Sequence, residues 1–197
     1  MRKRMPRRGA VLSGIGIVAA VAWGAEAAVT LNNGSFAAGT GGDPDGWIEN
    51  TLDKASRQSW GSQNGDGWLM ALLGWIEGSG TYGEFYQDVA NVVPGNVYLL
   101  SFWQDGDAGW NGSNVTARLI WLDSGSNAVG SVTTNLDAYT TASWAYLTLA
   151  GIAPRRAAAL RVQFDAQTRA TGGGGAAKFD DFRLTRTFAG GTIIRLL

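Results

Sequence analysis

Apolar residues in this chain come in short runs, each cut off after a few positions by Gly, Asn, Asp or Ser. Within the runs they alternate with polar residues, and the three-to-four spacing of an amphipathic helix is nearly absent beyond the first 28 positions. A period of two marks strands that bury one face. Strands are predicted near 29–36, 47–49, 58–60, 68–75, 84–89, 97–103, 115–122, 128–133, 144–149, 159–166 and 178–185. So many short strands with polar turns predict an all-β antiparallel sandwich and argue against a parallel α/β sheet. The glycine run that starts after Thr171 reads as a flexible loop, because no helix follows it to bind a phosphate.

The start of the chain is set apart. Arg2, Lys3, Arg4, Arg7 and Arg8 form a basic end, an apolar stretch follows from Ala10 to Trp23, and Ala25-Glu26-Ala27 supplies the small residues signal peptidase requires. This predicts a secretory signal peptide over residues 1–27, cut after Ala27 or Ala28, and a secreted protein, extracellular or periplasmic. The apolar stretch is shorter than the ~20 residues of a spanning helix, so no membrane partner is expected of the mature form. Residues 28–187 make up the predicted sandwich, and 188–197 are either a further strand or a tail.

Cleavage removes five of sixteen basic residues and one of sixteen acidic ones, leaving eleven against fifteen, a net charge of minus four. A basic surface for nucleic acid is therefore not expected. The chain has neither cysteine nor histidine. That excludes thiol nucleophiles, Ser-His-Asp triads and ordinary zinc sites, and leaves packing, or a metal held by oxygen, to stabilise an exported fold.

Alternation assigns faces. Along 97–103, Tyr98, Leu100 and Phe102 share one side, read as core, and Leu99, Ser101 and Trp103 the other. Along 159–166, Leu160, Val162 and Phe164 face inward, and Arg161, Gln163 and Asp165 outward. Around 144–149 both sides are apolar enough to be core. Trp47, Trp68, Trp121 and Trp144 are expected inside. Trp110, in "QDGDAGWNGSN", has no apolar neighbour in sequence and is either folded back over the sandwich edge or exposed for contact.

Three stretches then stand in an informative order: "LNNGSFAAG" with "PDGW" near the start, "GEFYQDVANVVPGNVYLLSFW", and "LRVQFDA" with "KFDDFRL" at the end. Together they resemble the jelly-roll carbohydrate-binding modules of the family 4, 9 and 22 type, within the galactose-binding-domain-like class. The resemblance implies a jelly-roll β-sandwich with one concave sheet, a structural calcium ion remote from the sugar site, and binding without catalysis. It also implies that Asp180, the first of the acidic pair on the last strand, is a calcium ligand. Alternation places Asp180 with Phe182 and Leu184, pointing inward, where a bare carboxylate needs a partner. Ala37 stands where the family often has a glutamate ligand.

A pyranose has an apolar C–H face and a rim of hydroxyls. Aromatic rings take the face, and Asn, Gln, Asp and Arg take the rim. Trp103 and Trp110 are therefore the candidate platforms, with Arg118, Arg161, Gln163 and Asp165 as rim contacts. The expected partner is a poly- or oligosaccharide, and the expected state a monomer. The stretch Asp105-Gly106-Asp107 begins like an EF-hand loop but lacks its later glycine and closing glutamate, so a solvated acidic turn is expected. The alternative is an extracellular structural or cell-surface interaction protein with the same fold. A small glycan-active enzyme is a third alternative: hydrolysis needs two carboxylates ~5–10 Å apart, and sequence does not place Glu49, Glu77 or Glu84 in one cleft. No enzyme activity is expected.

Overall fold

A computed structural model of the chain describes residues 29–49, 55–73, 82–110, 112–167 and 174–188. The predicted leader with its cleavage site, the end of the 68–75 strand, Glu77, most of the glycine-run loop and residues 189–197 lie outside the described residues. Described strands are β1 (Gly39–Thr40), β2 (Asp43–Pro44), β3 (Ile48–Glu49), β4 (Ala55–Gln58), β5 (Leu69–Leu73) and β6 (Tyr82–Ala90). They continue with β7 (Val97–Gly106), β8 (Ser113–Leu122), β9 (Ala128–Asn135), β10 (Ala145–Ile152), β11 (Ala159–Gln167) and β12 (Ala176–Thr187). A 3-10 turn at Asp137–Tyr139 is the helical element among the described residues.

The strands form two five-stranded antiparallel sheets and a small β1–β2 ribbon. Sheet I has the order β10-β7-β12-β5-β4 and sheet II the order β3-β6-β11-β8-β9. Strands adjacent in sequence mostly fall in different sheets, so the chain crosses the sandwich repeatedly. This is the jelly-roll β-sandwich expected from the sequence.

Between the sheets lies a cluster of rings. Phe85 of β6 and Phe164 of β11 project from sheet II, and Phe102, Phe179 and Phe182 from sheet I. Phe164 stacks on Phe182 at 4.8 Å and on Phe85 at 5.3 Å, and meets Phe102 edge-on at 4.9 Å. Offset stacks and edge-to-face pairs suit the quadrupole of the ring. The predicted core residues Tyr98, Leu100, Phe102, Leu160, Val162 and Phe164 are all fully buried. Trp47 and Trp121 are buried as well, and Trp68 packs against the same cluster from its rim. Trp144 instead covers a second small cluster of Leu69, Ala71, Leu73 and Ala176.

Two local expectations are corrected. Residues 29–36 form no strand: Asn33 and Phe36 have φ of 53° and 56°, which bends the segment into a turn. The Asn33 side chain fixes that turn, accepting from the Ala38 amide and donating to the Ala38 and Asp45 carbonyls. Phe36 still reaches the core and is fully buried. Gly34 is required there, since a Cβ would lie 2.2 Å from the Phe182 carbonyl oxygen. In the 144–149 region, β10 buries Leu149 but leaves Tyr146 55% exposed, so its outer side is open.

Phe164→Ala removes a ring in contact with four others, and is expected to destabilise the fold by about 3–5 kcal/mol in urea titrations. Phe188→Ala, at a ring 62% exposed, is expected to change stability by less than about 0.5 kcal/mol. Equal effects at the two positions would contradict this account of the core.

Candidate functional site

On the outer face of sheet II, β11 lies between β6 and β8 and brings three columns of side chains into register. Arg161 pairs with Asp88 and Ile120, Gln163 with Tyr86 and Arg118, and Asp165 with Glu84 and Thr116. Directly opposed residues share a face, so these columns point away from the core while Leu160, Val162 and Phe164 point into it. Arg118, Arg161, Gln163 and Asp165, all expected from sequence as rim contacts, therefore meet on one surface. Glu84, Arg118, Gln163 and Asp165 line a groove of about 250 Å³ there.

The groups hold one another. Arg118 donates from Nη2 to Asp165 Oδ1 at 3.2 Å, and its Nε lies 3.1 Å from Oδ2, a bidentate pair. Gln163 Nε2 donates to Glu84 at 3.1 Å and reaches Asp165 at 3.5 Å. Beside them Arg161 clamps Asp88 at 2.7 and 2.9 Å, with its guanidinium carbon 3.9 Å from the Tyr86 ring centroid. Gln163 and Asp165 are themselves buried, beneath the side chains of the neighbouring strands. Burial pushes the Glu84 carboxyl above its ordinary range, and the Asp165 charge adds to this against the pull of Arg161 and Arg118. The hydrogen bond to Asp88 raises Arg161 despite its partial burial.

Trp103 and Trp110 do not join this surface. Trp103 lies on the outer face of sheet I, across from Tyr146 of β10, with ring centroids 5.2 Å apart and planes tilted by 59°. It is half-buried. Trp110 is also half-buried and packs against the main core, so it is folded back rather than exposed for contact. Its ring lies over Gly112, where a Cβ would come within 2.2 Å of it. Absence of apolar neighbours in sequence said nothing about neighbours in space.

The loop at Asp105 is not a solvated turn. Lys178 Nζ sits 2.6 Å from Asp105 and 3.1 Å from Asp107. Burial works against the Lys178 charge, but these hydrogen bonds outweigh it and raise its pKa.

Asp180 is fully buried, yet it does not share a face with Phe182. A β-bulge between Asp180 and Arg183, with φ of 51° at Asp181, shifts the alternation by one residue. Asp180 thus lies opposite Trp103 on the outer face of sheet I, under the loop at 61–67. Its Oδ2 accepts the amides of Gln63 at 2.8 Å and Asn64 at 3.4 Å, and its Oδ1 that of Asp181 at 2.6 Å. Three of its roughly four lone-pair positions thus face N–H groups, a surrounding that suits an anion and does not fit a calcium ligand. Burial nevertheless raises its pKa to about 6, outweighing those bonds.

Tyr86 and Asp88 were not expected here, and Glu84 was considered only as a hydrolytic carboxylate. Their alternation with Phe85, Gln87 and Val89 in "EFYQDVA" was a usable signal for their face. Their place beside Arg161 and Gln163 depends on a pairing between residues more than seventy positions apart.

No family model and no curated protein sequence matches the chain. Several solved structures share its fold. One is a family 61 carbohydrate-binding module in complex with β-1,4-galactotriose, at 20% identity and a TM-score of 0.54, covering 80% of this chain and 97% of the module. Another is a cyclase from Fischerella sp. in complex with 4-(1H-indol-3-yl)butan-2-one, at 16% identity and 0.58, covering 83% and 99%. A third is the enzymatically active domain of tailspike protein 4 from bacteriophage CBA120, at 18% identity and 0.60, covering 80% of this chain. Against that tailspike the chain spans 21% of the length. These likenesses place the fold among jelly-roll sandwiches that include carbohydrate-binding modules.

Two outcomes are expected. Trp110→Ala should lower stability by about 2–3 kcal/mol, as loss of a half-buried core ring does, with any change in ligand binding following from that. For Asp180, the folded value of about 6 lies above the ordinary 3.8, so the folded state holds a proton that the unfolded chain releases. Its contribution to stability is thus largest near pH 4 and declines as pH rises through about 6. In urea titrations the stability difference between wild type and Asp180→Asn should shrink over that window, and a difference that grows with pH would reverse the assignment.

Proposed function

We propose that this chain is a secreted, non-catalytic carbohydrate-binding protein that receives a poly- or oligosaccharide across the outer face of sheet II. The observation that carries the proposal is the cross-strand array of Glu84, Gln163, Arg118 and Asp165, directional polar groups lining one open groove and braced by each other. Sugar hydroxyls both donate and accept, and this groove mixes carboxylate acceptors with guanidinium and amide donors. Because the side chains are already fixed, binding loses little rotamer entropy. Tyr86, with Arg161 laid over it, provides a flat surface beside the polar groups. Micromolar to millimolar binding needs ~4–8 kcal/mol, and three or four hydrogen bonds to charged groups at ~1.5–3 kcal/mol each would supply it. The galactotriose complex of the family 61 module supports the choice of ligand class.

The non-catalytic part of the proposal rests on how the two groove carboxylates are engaged. Asp165 is held by Arg118, and Glu84 shares the Gln163 amide with it. Both carboxylates thus brace the surface through partners supplied by the fold itself. The leader-like start supports secretion, and a monomer is sufficient for such a groove. A second contact has one observation in its favour: Trp103 and the exposed Tyr146 form an aromatic pair on the opposite face, where a sugar ring could stack.

Affinity electrophoresis against a panel of soluble polysaccharides, including galactan and xylan, tests the proposal. Retention on at least one is expected. Arg118→Ala and Gln163→Ala should each weaken it by about 1–3 kcal/mol, roughly five- to 150-fold, with the fold intact by circular dichroism. Trp103→Ala should leave that retention unchanged if sheet II carries the binding. Retention on none of the panel, or release of reducing ends from it, would overturn the reading.

A further inference from the structure

Arg57 is only 4% exposed, and it lies on β4, the edge strand of sheet I. Its guanidinium is the point on which the backbone of residues 36–41 converges. Nε donates to the Phe36 carbonyl at 2.5 Å, Nη2 to Ala37 at 2.6 Å and Nη1 to Gly41 at 3.3 Å. The Arg57 amide adds a bond to the Gly42 carbonyl at 2.6 Å. On one side the guanidinium carbon sits 3.2 Å from the centroid of a Trp68 ring, a cation–π contact shielded from solvent.

The backbone is shaped to this group. Phe36 has φ of 56°, Gly39 of 147° and Gly41 of 60°, and these bends turn successive carbonyls toward one point. A Cβ on Gly39 would lie 2.3 Å from the Asp43 carbonyl oxygen and 3.1 Å from Arg57 Cδ, so the turn closes around the arginine with no space left over. Several carbonyl oxygens aimed at a single position form an arrangement that a hard cation also accepts. Here the positive charge is covalently part of the chain. Ala37, which offers no side-chain oxygen, contributes its carbonyl to the guanidinium, and the Asp180 carboxylate is engaged by N–H groups elsewhere.

We propose that Arg57 is the structural cation of this fold, doing with a guanidinium what the family resemblance implies for calcium. A guanidinium is always charged and offers its donors in a rigid plane, so three carbonyls are held without dependence on metal supply. A bound metal stabilises by mass action, and its contribution would vanish on chelation. With Arg57 in that role, calcium is expected to add nothing to the stability of the folded chain.

Thermal melting of the full chain, with millimolar chelator and then with millimolar calcium, tests this directly. Wild type is expected to melt at the same temperature in both. Arg57→Ala is expected to melt roughly 5–10 °C lower, with part of the loss restored by millimolar methylguanidinium, and Arg57→Lys is expected to recover less than half. A calcium-dependent rise in the wild-type Tm that Asp180→Ala abolishes overturns the proposal, and so does an Arg57→Ala variant that melts with wild type. Should Arg57→Ala fail to fold, the wild-type calcium titration and Arg57→Lys still decide the matter.

Discussion

The mutual stacking of Phe85, Phe164 and Phe182 is the contact on which the rest of this structure depends. One ring comes from each of three strands, two in sheet II and one in sheet I. Their burial fixes which side of β6, β11 and β12 faces inward, and a strand cannot slip by one residue without turning that side to solvent. With Phe164 inside, Arg161, Gln163 and Asp165 must be outside. The candidate binding face is therefore a consequence of the core as much as of its own polar residues.

A common device recurs at the charged groups. Five carboxylates are held by partners from a distant part of the chain before any ligand arrives: Asp165 by Arg118, Asp88 by Arg161, Asp105 and Asp107 by Lys178, and Asp180 by the amides of the 61–67 loop. Buried or half-buried charges without partners would cost several kcal/mol each. In a chain without disulfides these pairs also tie loops to sheets. On the outer face of sheet II the same pairing leaves a surface whose groups are oriented in advance, which is what selective recognition of hydroxyls requires. Around Arg57 it closes the edge of the sandwich, where the segment at 36–41 wraps β4.

Nearly every strand was legible in the sequence, because a half-buried strand writes its environment into alternating residues. The segments at 29–36 and 58–60 are exceptions: the strand near the second is Ala55–Gln58, and in the first the "LNNGSF" pattern is apolar at both ends but bends at Asn33 and Phe36. Periodicity detects burial, and Phe36 is indeed buried, yet burial does not require a ladder. Asp180 failed for a related reason. Its predicted face assumed unbroken alternation, and one bulge residue, Asp181, reverses the parity of everything before it. Trp110 failed because exposure was inferred from neighbours in sequence, whereas its cover comes from the core it packs against.

What the sequence determined by itself was local: the period of two, the positions of most strands, the inward residues of β7 and β11, and the residue types excluded by the lack of His and Cys. These follow from each residue's own environment, which leaves a mark within a few positions of the chain. What the tertiary structure decided was adjacency. It brought Glu84, Tyr86 and Asp88 beside Arg161 and Gln163, sent Trp103 to the opposite sheet, and gathered three carbonyls on Arg57. Pairing between strands is a property of two distant segments at once. Neither segment alone carries the information, since many strands of similar pattern could satisfy the same hydrogen bonds, and packing of the aromatic core selects among them.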